Sequence, residues 1–217
     1  MIMIMIMFSP PTQKRSRRTY EALLEAARET LAETSFDDAT LAEISRRAGV
    51  TVGAFYGRFG GKDALLRHLE EQTYEAAERL VQATALATRS AGLREAAAGY
   101  IDMLVEMYTR QRGVVRALVE VSRDDPEVRA RRKAFNARLL GRVVSDLLRR
   151  REDIAHPRPE EALRLGLLFV SATLRELLLF GEYWPKGAEP DAPAAELTEA
   201  FLAYLRVPDP VNAEVDR

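Results

Sequence analysis

Residues 36–62, FDDATLAEISRRAGVTVGAFYGRFGGK, decide the fold of the first part of the chain. The pattern from Thr40 to Glu43 predicts a capping box, in which the threonine oxygen accepts from the Glu43 amide and Glu43 reaches back to the Thr40 amide. Gly49 is expected to end this first helix in a left-handed turn, and Thr51 is suited to cap the next one. The stretch therefore predicts two short helices joined by a glycine turn, which is a helix-turn-helix.

The second of these helices has an apolar and a polar side. Phe55 and Phe59 are spaced to face the core together. The residues left to face outward are Thr51, Val52, Gly53, Tyr56 and Arg58. In DNA-binding proteins of this kind the second helix enters the major groove. An ordinary helical corner is the alternative interpretation, and the spaced aromatic residues, with Lys62 after a second glycine turn, favour DNA binding.

Helical periodicity continues through the rest of the chain, with no convincing alternating strand. Besides the two helices above, we predict helices over about 12–34, 62 to the mid-80s, 92–111, 114–121, 126–151 and 159–180, and a last one over about 194–206. The fold class is therefore all-α, with about nine helices.

We divide the chain into four segments. A disordered N-terminal segment covers 1–11, a helix-turn-helix domain covers 12–61 with the motif itself over 40–59, a helical C-terminal domain covers 62–207, and a tail covers 208–217. The alternating Met and Ile residues of the start lack the basic leader of a signal peptide. They are also too few to span a bilayer, so we expect a cytoplasmic protein without a membrane partner.

Composition excludes several classes of function. The 32 basic and 33 acidic residues leave a net charge of −1, so any nucleic-acid site must be local. Cysteine is absent, which excludes disulfides, thiolate zinc sites and cysteine nucleophiles. His68, expected on a helix surface, and His156, expected in a polar loop, stand far apart and outside any HExxH spacing. We expect no metal site, no cofactor and no catalytic residue.

A longer set of residues around the helix-turn-helix follows a known signature. The set is Thr40, Ile44, Ala48-Gly49-Val50, Thr51, Gly53, Phe55-Tyr56, Phe59 and Lys62-Asp63-Ala64-Leu65-Leu66. With these residues the stretch 17–77 resembles the TetR family of bacterial transcriptional regulators. The resemblance implies a three-helix DNA-binding domain, then an all-helical ligand-binding and dimerisation domain, with the fourth helix linking the two.

The resemblance also implies roles for single residues in DNA binding. Phosphate contacts are implied for Thr40, Tyr56 and Lys62, and positions near base edges for Thr51, Val52, Gly53 and Ala54. The chemistry agrees, because hydroxyl and ammonium groups suit phosphate oxygens. Methyl groups of Thr51 and Val52 can touch thymine methyls, and Arg58 can reach a guanine or a phosphate. The basic residues 14–18 are open to two interpretations, an arm on the minor groove or backbone and a solvated helix start.

The C-terminal part supplies candidates for a dimer interface and a ligand pocket. The helix over 159–180 is apolar on nearly every side, so it needs partners on both sides, and a two-fold homodimer supplies one of them. The interface candidates are Leu167, Leu174, Leu178, Phe201 and Leu205. Soft and aromatic side chains suit either core packing or a pocket for a small, mostly apolar effector. The pocket candidates are Tyr74, Tyr100, Met103, Met107, Tyr108, Phe135 and Phe169.

The leading hypothesis is a ligand-responsive regulator. We expect a repressor that binds a palindromic operator in double-stranded DNA as a homodimer and is released by its effector. One alternative is a helical carboxylate-dependent lyase or synthase, suggested by the acidic residues 124–127, although without a second acidic motif a magnesium ion would have too few ligands. Acids at the start of a helix explain that stretch better. The other alternative is a helical effector-binding dimer without DNA binding.

Overall fold

A computed structural model describes residues 14–181 and 192–208, and both stretches are helical. The segment 1–11 and the tail after Pro208 lie outside the described residues. The helices are α1 (Lys14–Glu33), α2 (Leu41–Arg47), α3 (Val52–Phe59), α4 (Lys62–Ala87), α5 (Leu93–Arg110), α6 (Arg112–Asp124), α7 (Pro126–Leu147), α8 (Pro159–Arg175) and α9 (Ala192–Tyr204). A 3-10 turn (Leu148–Asp153) follows α7, and a π-helical turn (Glu176–Phe180) continues α8. The described stretches contain no strand, so the predicted all-α class is confirmed.

None of the described helices combines the length and the apolar character that a membrane span needs.

The turn between α2 and α3 is built as the sequence predicts. The Oγ1 atom of Thr40 accepts from the Glu43 amide at 3.2 Å, and the Oγ1 atom of Thr51 accepts from the Ala54 amide at 3.2 Å. Gly49 has a φ of 65°, a left-handed conformation that residues with a Cβ rarely adopt. Both predicted caps and the glycine turn are confirmed.

The reciprocal half of the predicted capping box is wrong. The carboxylate of Glu43 accepts hydrogen bonds from Arg46 at 2.6 and 2.8 Å and from Arg47 at 2.7 Å instead of reaching back to the Thr40 amide. These two guanidinium groups, Arg46 first, lower the pKa of Glu43 to about 2. Arg47 also donates to Glu33 at 2.9 Å, so the cluster ties α2 to the end of α1.

The N-terminal core forms around the two phenylalanines of α3. Phe55 is 0% and Phe59 1% exposed, so their predicted inward orientation is confirmed. The ring of Phe59 stacks on Tyr20 of α1 with centroids 5.4 Å apart and meets the ring of His68 edge-on at 5.3 Å. His68 therefore packs against α1 and α3, and the expectation of a surface histidine is wrong because its ring fills the gap beside Phe59.

The N-terminal core extends beyond the helix-turn-helix domain into α6. Three residues of α6 belong to it: Val114, Ala117 and Leu118. Gly113 lies so close to the end of α1 that an added Cβ would collide with the backbone of Leu31. Arg116 donates to the carbonyl oxygens of Leu31 and Thr34 at 2.8 and 2.7 Å. Because of these contacts, α6 is docked directly on α1.

The second core joins α5, α7, α8 and α9. Its fully buried side chains include Tyr100, Ile101, Leu147, Leu163 and Leu174. Gly166 lets α9 approach α8 closely, since a Cβ there would lie 2.6 Å from the ring of Phe201. This close approach fixes which side of α8 faces the protomer's own core.

Candidate nucleic-acid interface and ligand cavity

The outer side of α3 is a surface of small and polar side chains, and we call it the α3 face. It consists of Thr51, Val52, Gly53, Ala54 and Tyr56, all exposed as predicted. Tyr56 is 54% exposed and Val52 is 39% exposed, whereas Phe55 on the opposite side of the helix is buried. A helix of eight residues does not persist alone in water, so the buried aromatic side of α3 holds this surface in place. The α3 face offers hydroxyl groups, methyl groups and accessible backbone to a partner.

Thr40 stands exposed at the start of α2. Its oxygen already accepts from the Glu43 amide. A hydroxyl can donate while it accepts, so the Thr40 O–H remains available to an acceptor such as a phosphate oxygen. The capped geometry of α2 therefore agrees with the phosphate contact expected for Thr40.

Lys62 is engaged inside the protein. Its ammonium donates to the carbonyl oxygens of Phe36, Asp37 and Ala39 at 2.6, 3.2 and 3.1 Å and lies 4.5 Å from the centroid of the Phe36 ring. An ammonium group has three donors, and these bonds occupy all of them. The phosphate contact expected for Lys62 is incompatible with this arrangement. Lys62 instead ties the start of α4 to the segment just before Thr40.

Arg58 also departs from its expected position. It is half-buried, and its Nη2 atom donates to the Oγ atom of Ser16 at 2.5 Å. The expectation that Arg58 faces outward with the α3 face is wrong, because the side chain lies between α3 and the first turn of α1. Arg58 and Lys62 therefore position helices, and the α3 face itself carries no charge.

A cavity with a volume of about 170 Å³ lies between α5, α7 and α8 in the C-terminal core. We call it the larger chamber. Five of the predicted pocket residues line it: Tyr100, Met103, Met107, Tyr108 and Phe135. A smaller chamber of about 80 Å³ adjoins it and includes Tyr74 in its wall. Six of the seven predicted pocket residues therefore surround two neighbouring chambers.

Several polar and aromatic side chains in these chambers contact one another. The Tyr108 hydroxyl and Ser171 Oγ are 2.9 Å apart, and Tyr74 stacks face to face on Phe135 at 3.8 Å. Burial, then the nearby Glu70 carboxylate, raises the pKa of Tyr74. Burial, then Asp146, likewise raises the pKa of Tyr100. Both tyrosine hydroxyls therefore stay neutral, each beside a carboxylate.

Arginine and amide residues of the cavity wall were missed at the sequence level. Arg175 borders both chambers, as do Asn136 and Ser171, and Arg132 borders the smaller one. Arg175 interrupts the apolar run of α8, and a charge inside such a run is the one signal that marks it. Arg132 lies within a run of surface arginines, so nothing in the local pattern distinguishes it.

Phe169 is the predicted pocket residue that lies elsewhere. It is 52% exposed and meets Tyr204 edge-on at 5.9 Å, on the side of α8 away from the chambers. Together with Leu165 and Leu168, which are 42% and 56% exposed, it forms an apolar surface that we call the α8 stripe. Leu168 also borders the larger chamber. The pocket role expected for Phe169 is wrong.

The predicted interface residues lie within the protomer's own core. Leu167, Leu174, Phe201 and Leu205 are buried, and Leu178 packs partly buried against them. The four buried residues cannot contact a second copy from inside the protomer's core, so their assignment to a dimer interface is wrong. Leu178 is only partly buried, and its place at an interface stays a prediction. Leu167 instead belongs to the wall of the larger chamber.

The acidic stretch before α7 serves as a helix cap. The carboxylate of Asp125 accepts from the amides of Glu127 and Val128 at 2.7 and 3.0 Å. These amide donors lower the pKa of Asp125. In residues 14–181 and 192–208 no group of three His, Asp or Glu side chains is placed to hold a metal ion. The helix-start interpretation of this stretch is confirmed.

Two family models and several known proteins match this chain. The model for bacterial regulatory proteins of the tetR family matches residues 23–69, and the tetracyclin repressor-like C-terminal domain matches 92–205. The chain is 44% identical over 50 residues to the transcriptional regulator BetI 1 of Chromohalobacter salexigens, covering 23% of this chain and 25% of that protein. It is 36% identical over 58 residues to the regulator YvdT of Bacillus subtilis, covering 27% and 30%. The matched segments span less than a third of either relative.

Among solved structures, a transcriptional regulator from Rhodococcus sp. Rha1 has a TM-score of 0.70 with this chain at 19% identity. The match covers 86% of this chain and 96% of that one, and it establishes the shared fold. The matching family models describe transcriptional regulators, not enzymes, so the lyase alternative is excluded. The two family models match in chain order, and the second covers more than half of this chain. The chain therefore belongs to the TetR family of transcriptional regulators.

Proposed function

We propose that this regulator is a repressor that binds a palindromic operator as a homodimer and leaves it when a small effector binds. The observation that carries the proposal is the α3 face, a rigidly anchored and exposed helix side within the family's DNA-binding segment. Val52 and the methyl group of Thr51 suit thymine methyl groups, and the Tyr56 hydroxyl suits a phosphate oxygen. Thr40 adds a second hydroxyl donor at the start of α2.

The α8 stripe supports the dimer. Leu168 and Phe169 are more than half exposed, and adjacent large apolar side chains at a surface mark an interaction site. A two-fold axis through the stripe would pair it with its own copy. The same axis would place two α3 helices in successive major grooves, about 34–36 Å apart. The operator is then an inverted repeat with that period or a multiple of it.

The chambers and α6 support the release of DNA by an effector. Tyr74 of α4 borders the smaller chamber, and α4 follows directly on the DNA-binding helices. The same chamber is lined by Val115 and Leu118 of α6, the helix that Gly113 and Arg116 dock on α1. An effector that favours another position of α4 or α6 would change the spacing of the two α3 faces. Release requires only that the effector prefers the spacing that misses the operator.

Selection from random double-stranded DNA tests the proposal. The purified full chain should enrich an inverted repeat whose half-sites are separated by about 10–10.5 base pairs or a multiple of this spacing. A reporter with the enriched site overlapping its promoter should then be silenced by the protein. Enrichment of no sequence would support the alternative of an effector-binding dimer without DNA binding. Activation of the reporter would contradict the repressor assignment.

A further inference from the structure

The smaller chamber opens toward a basic surface depression. This depression, which we call the mouth, has a volume of about 420 Å³ and lies between α6, α7 and the end of α8. Arg132 and Arg175 line both the mouth and the smaller chamber, and Arg175 continues into the wall of the larger chamber. The mouth, the smaller chamber and the larger chamber therefore lie next to one another, and the two guanidinium groups stand where they meet.

Those two guanidinium groups have no partner among residues 14–181 and 192–208. No ion pair or hydrogen bond within the described stretches engages Arg132 or Arg175, whereas most neighbouring arginines of α7 are paired. The Nε atom of Arg132 is buried, and no acceptor within the described stretches reaches it. Buried N–H groups are normally hydrogen-bonded, and leaving one unsatisfied is unfavourable. This atom indicates a site for an external acceptor.

Nearby carboxylates leave this positive charge uncompensated. Glu70 accepts from Arg131 through its Oε2 atom at 2.9 Å, and its carboxylate also acts on the Tyr74 hydroxyl rather than on Arg132 or Arg175. Glu176 lines the mouth, but its side chain is exposed to solvent. Arg129, also in the mouth, is occupied because it donates to backbone carbonyl oxygens. Glu176 is the only acid among the described residues that line the mouth or the smaller chamber, so an anion at the inner end of the mouth would meet Arg132 and Arg175.

We propose that the chambers take an amphipathic carboxylate, with its head group on Arg132 and Arg175 and its apolar tail in the larger chamber. A guanidinium group binds a carboxylate through two parallel hydrogen bonds. Met103, Leu140 and Leu167 line the space for the tail. The chambers of about 170 and 80 Å³ suit a short chain. The inference rests on the proposed effector function and specifies the effector's chemical class.

Calorimetry on the full-length protein without DNA tests the head-group requirement. The probes are octanoate, octan-1-ol and octylammonium, which share a tail and differ in charge. Octanoate should bind roughly tenfold more tightly than octanol, the difference expected for hydrogen bonds to a charged group, and octylammonium should bind most weakly. Equal affinities for octanoate and octanol would overturn the proposal. So would the absence of octanoate binding.

Substitutions at the two arginines locate the site. Arg132→Gln and Arg175→Gln should each weaken octanoate binding by roughly tenfold while octanol binding stays unchanged. Arg123→Gln is the matched control, because Arg123 lies at the outer rim of the mouth and lines neither chamber. Arg175→Lys should retain part of the affinity, since the charge remains without the bidentate geometry. Unchanged octanoate affinity in both glutamine variants would overturn the proposal.

Adding the same probes to the operator complex separates this inference from the proposed function. Octanoate that binds the free protein but leaves the complex intact would contradict release by an effector and support the anion site. Release by octanol but not by octanoate would overturn the anion site and support the release mechanism. Release by octanoate alone would support both.

Discussion

The α3 face and the α8 stripe are two exposed surfaces that require different partners. The α3 face is made of small and polar groups that water solvates well, so it can stand free and bind DNA reversibly. The α8 stripe exposes Leu165, Leu168 and Phe169, and each large apolar side chain gains about 1.5–3 kcal/mol when it is fully buried. One surface is suited to a reversible contact and the other to a permanent one. We therefore expect the dimer to persist whether or not the operator is bound.

Breaking the α8 stripe should have the largest effect. Leu168→Glu places a charge where two copies would meet, so light scattering should show a monomer of 24.4 kDa. Operator affinity should then fall by roughly 100-fold or more, because the second half-site contact is no longer linked to the first. Leu86→Glu is the matched control, since Leu86 is 71% exposed and lies on α4 outside the stripe. A dimeric Leu168→Glu protein would contradict the interface.

Replacing Lys62 distinguishes a positioning role from a phosphate contact. Lys62→Met removes three hydrogen bonds from a charged donor, so the free energy of unfolding should fall by about 1.5–3 kcal/mol. Chemical denaturation measures this loss. The salt dependence of operator binding should keep its slope, because that slope counts phosphate charges neutralised by basic side chains. A flatter slope with unchanged stability would show that Lys62 leaves its carbonyl partners to bind phosphate.

The contact between α6 and α1 can be tested with a single methyl group. Gly113→Ala should lower the free energy of unfolding by about 1–3 kcal/mol, because the added Cβ collides with the backbone of Leu31. Gly141→Ala is the matched control in another helix, where an added Cβ meets open space. It should raise stability by about 0.5–1 kcal/mol, since alanine favours a helix over glycine. Equal melting temperatures of the two variants would contradict the tight docking of α6.

We expect the smallest effect from the ion pairs of Glu43 with Arg46 and Arg47 in the helix-turn-helix. The pKa of Glu43 is lowered from 4.5 to about 2, so its ion pairs stabilise the fold fully above pH 4.5 and are lost as the pH falls toward 2. The free energy of unfolding of the native protein should therefore fall more steeply across this interval than that of Glu43→Gln. Glu29→Gln, on the exposed side of α1, should follow the native curve. Identical slopes for the native protein and Glu43→Gln would contradict the cluster.

The helix-turn-helix could be predicted residue by residue because its largest apolar residues lie on only one side of each helix. Phe55 and Phe59 stand among small and polar residues, so only one side of α3 can face the core. The same reasoning fails for α8, which is apolar on both sides, and the periodicity therefore does not say which side is buried. The close packing of Phe201 against Gly166 determines which side of α8 is buried, and Phe201 lies 35 positions later in the chain.

The roles of the two basic residues could not be predicted from local sequence. Lys62 and Arg58 have the chemistry of phosphate contacts, but both donate hydrogen bonds to residues from other parts of the fold. Phe36 and Asp37 reach Lys62 only because the segment before α2 folds back over the start of α4. Ser16 reaches Arg58 because α1 crosses the end of α3. Charge alone identifies candidates, and tertiary contacts decide between positioning and binding.

Base selection with an altered side chain shows whether the α3 face reads the operator. The selection from random DNA is repeated with Val52→Ala beside the native protein. We expect the same inverted repeat, with relaxed base choice at one symmetric position in each half-site and a loss there of about 1–3 kcal/mol. The rest of the profile should be unchanged. An identical profile for both proteins, at every position and with equal affinity, would contradict the claim that this side of α3 lies on the bases.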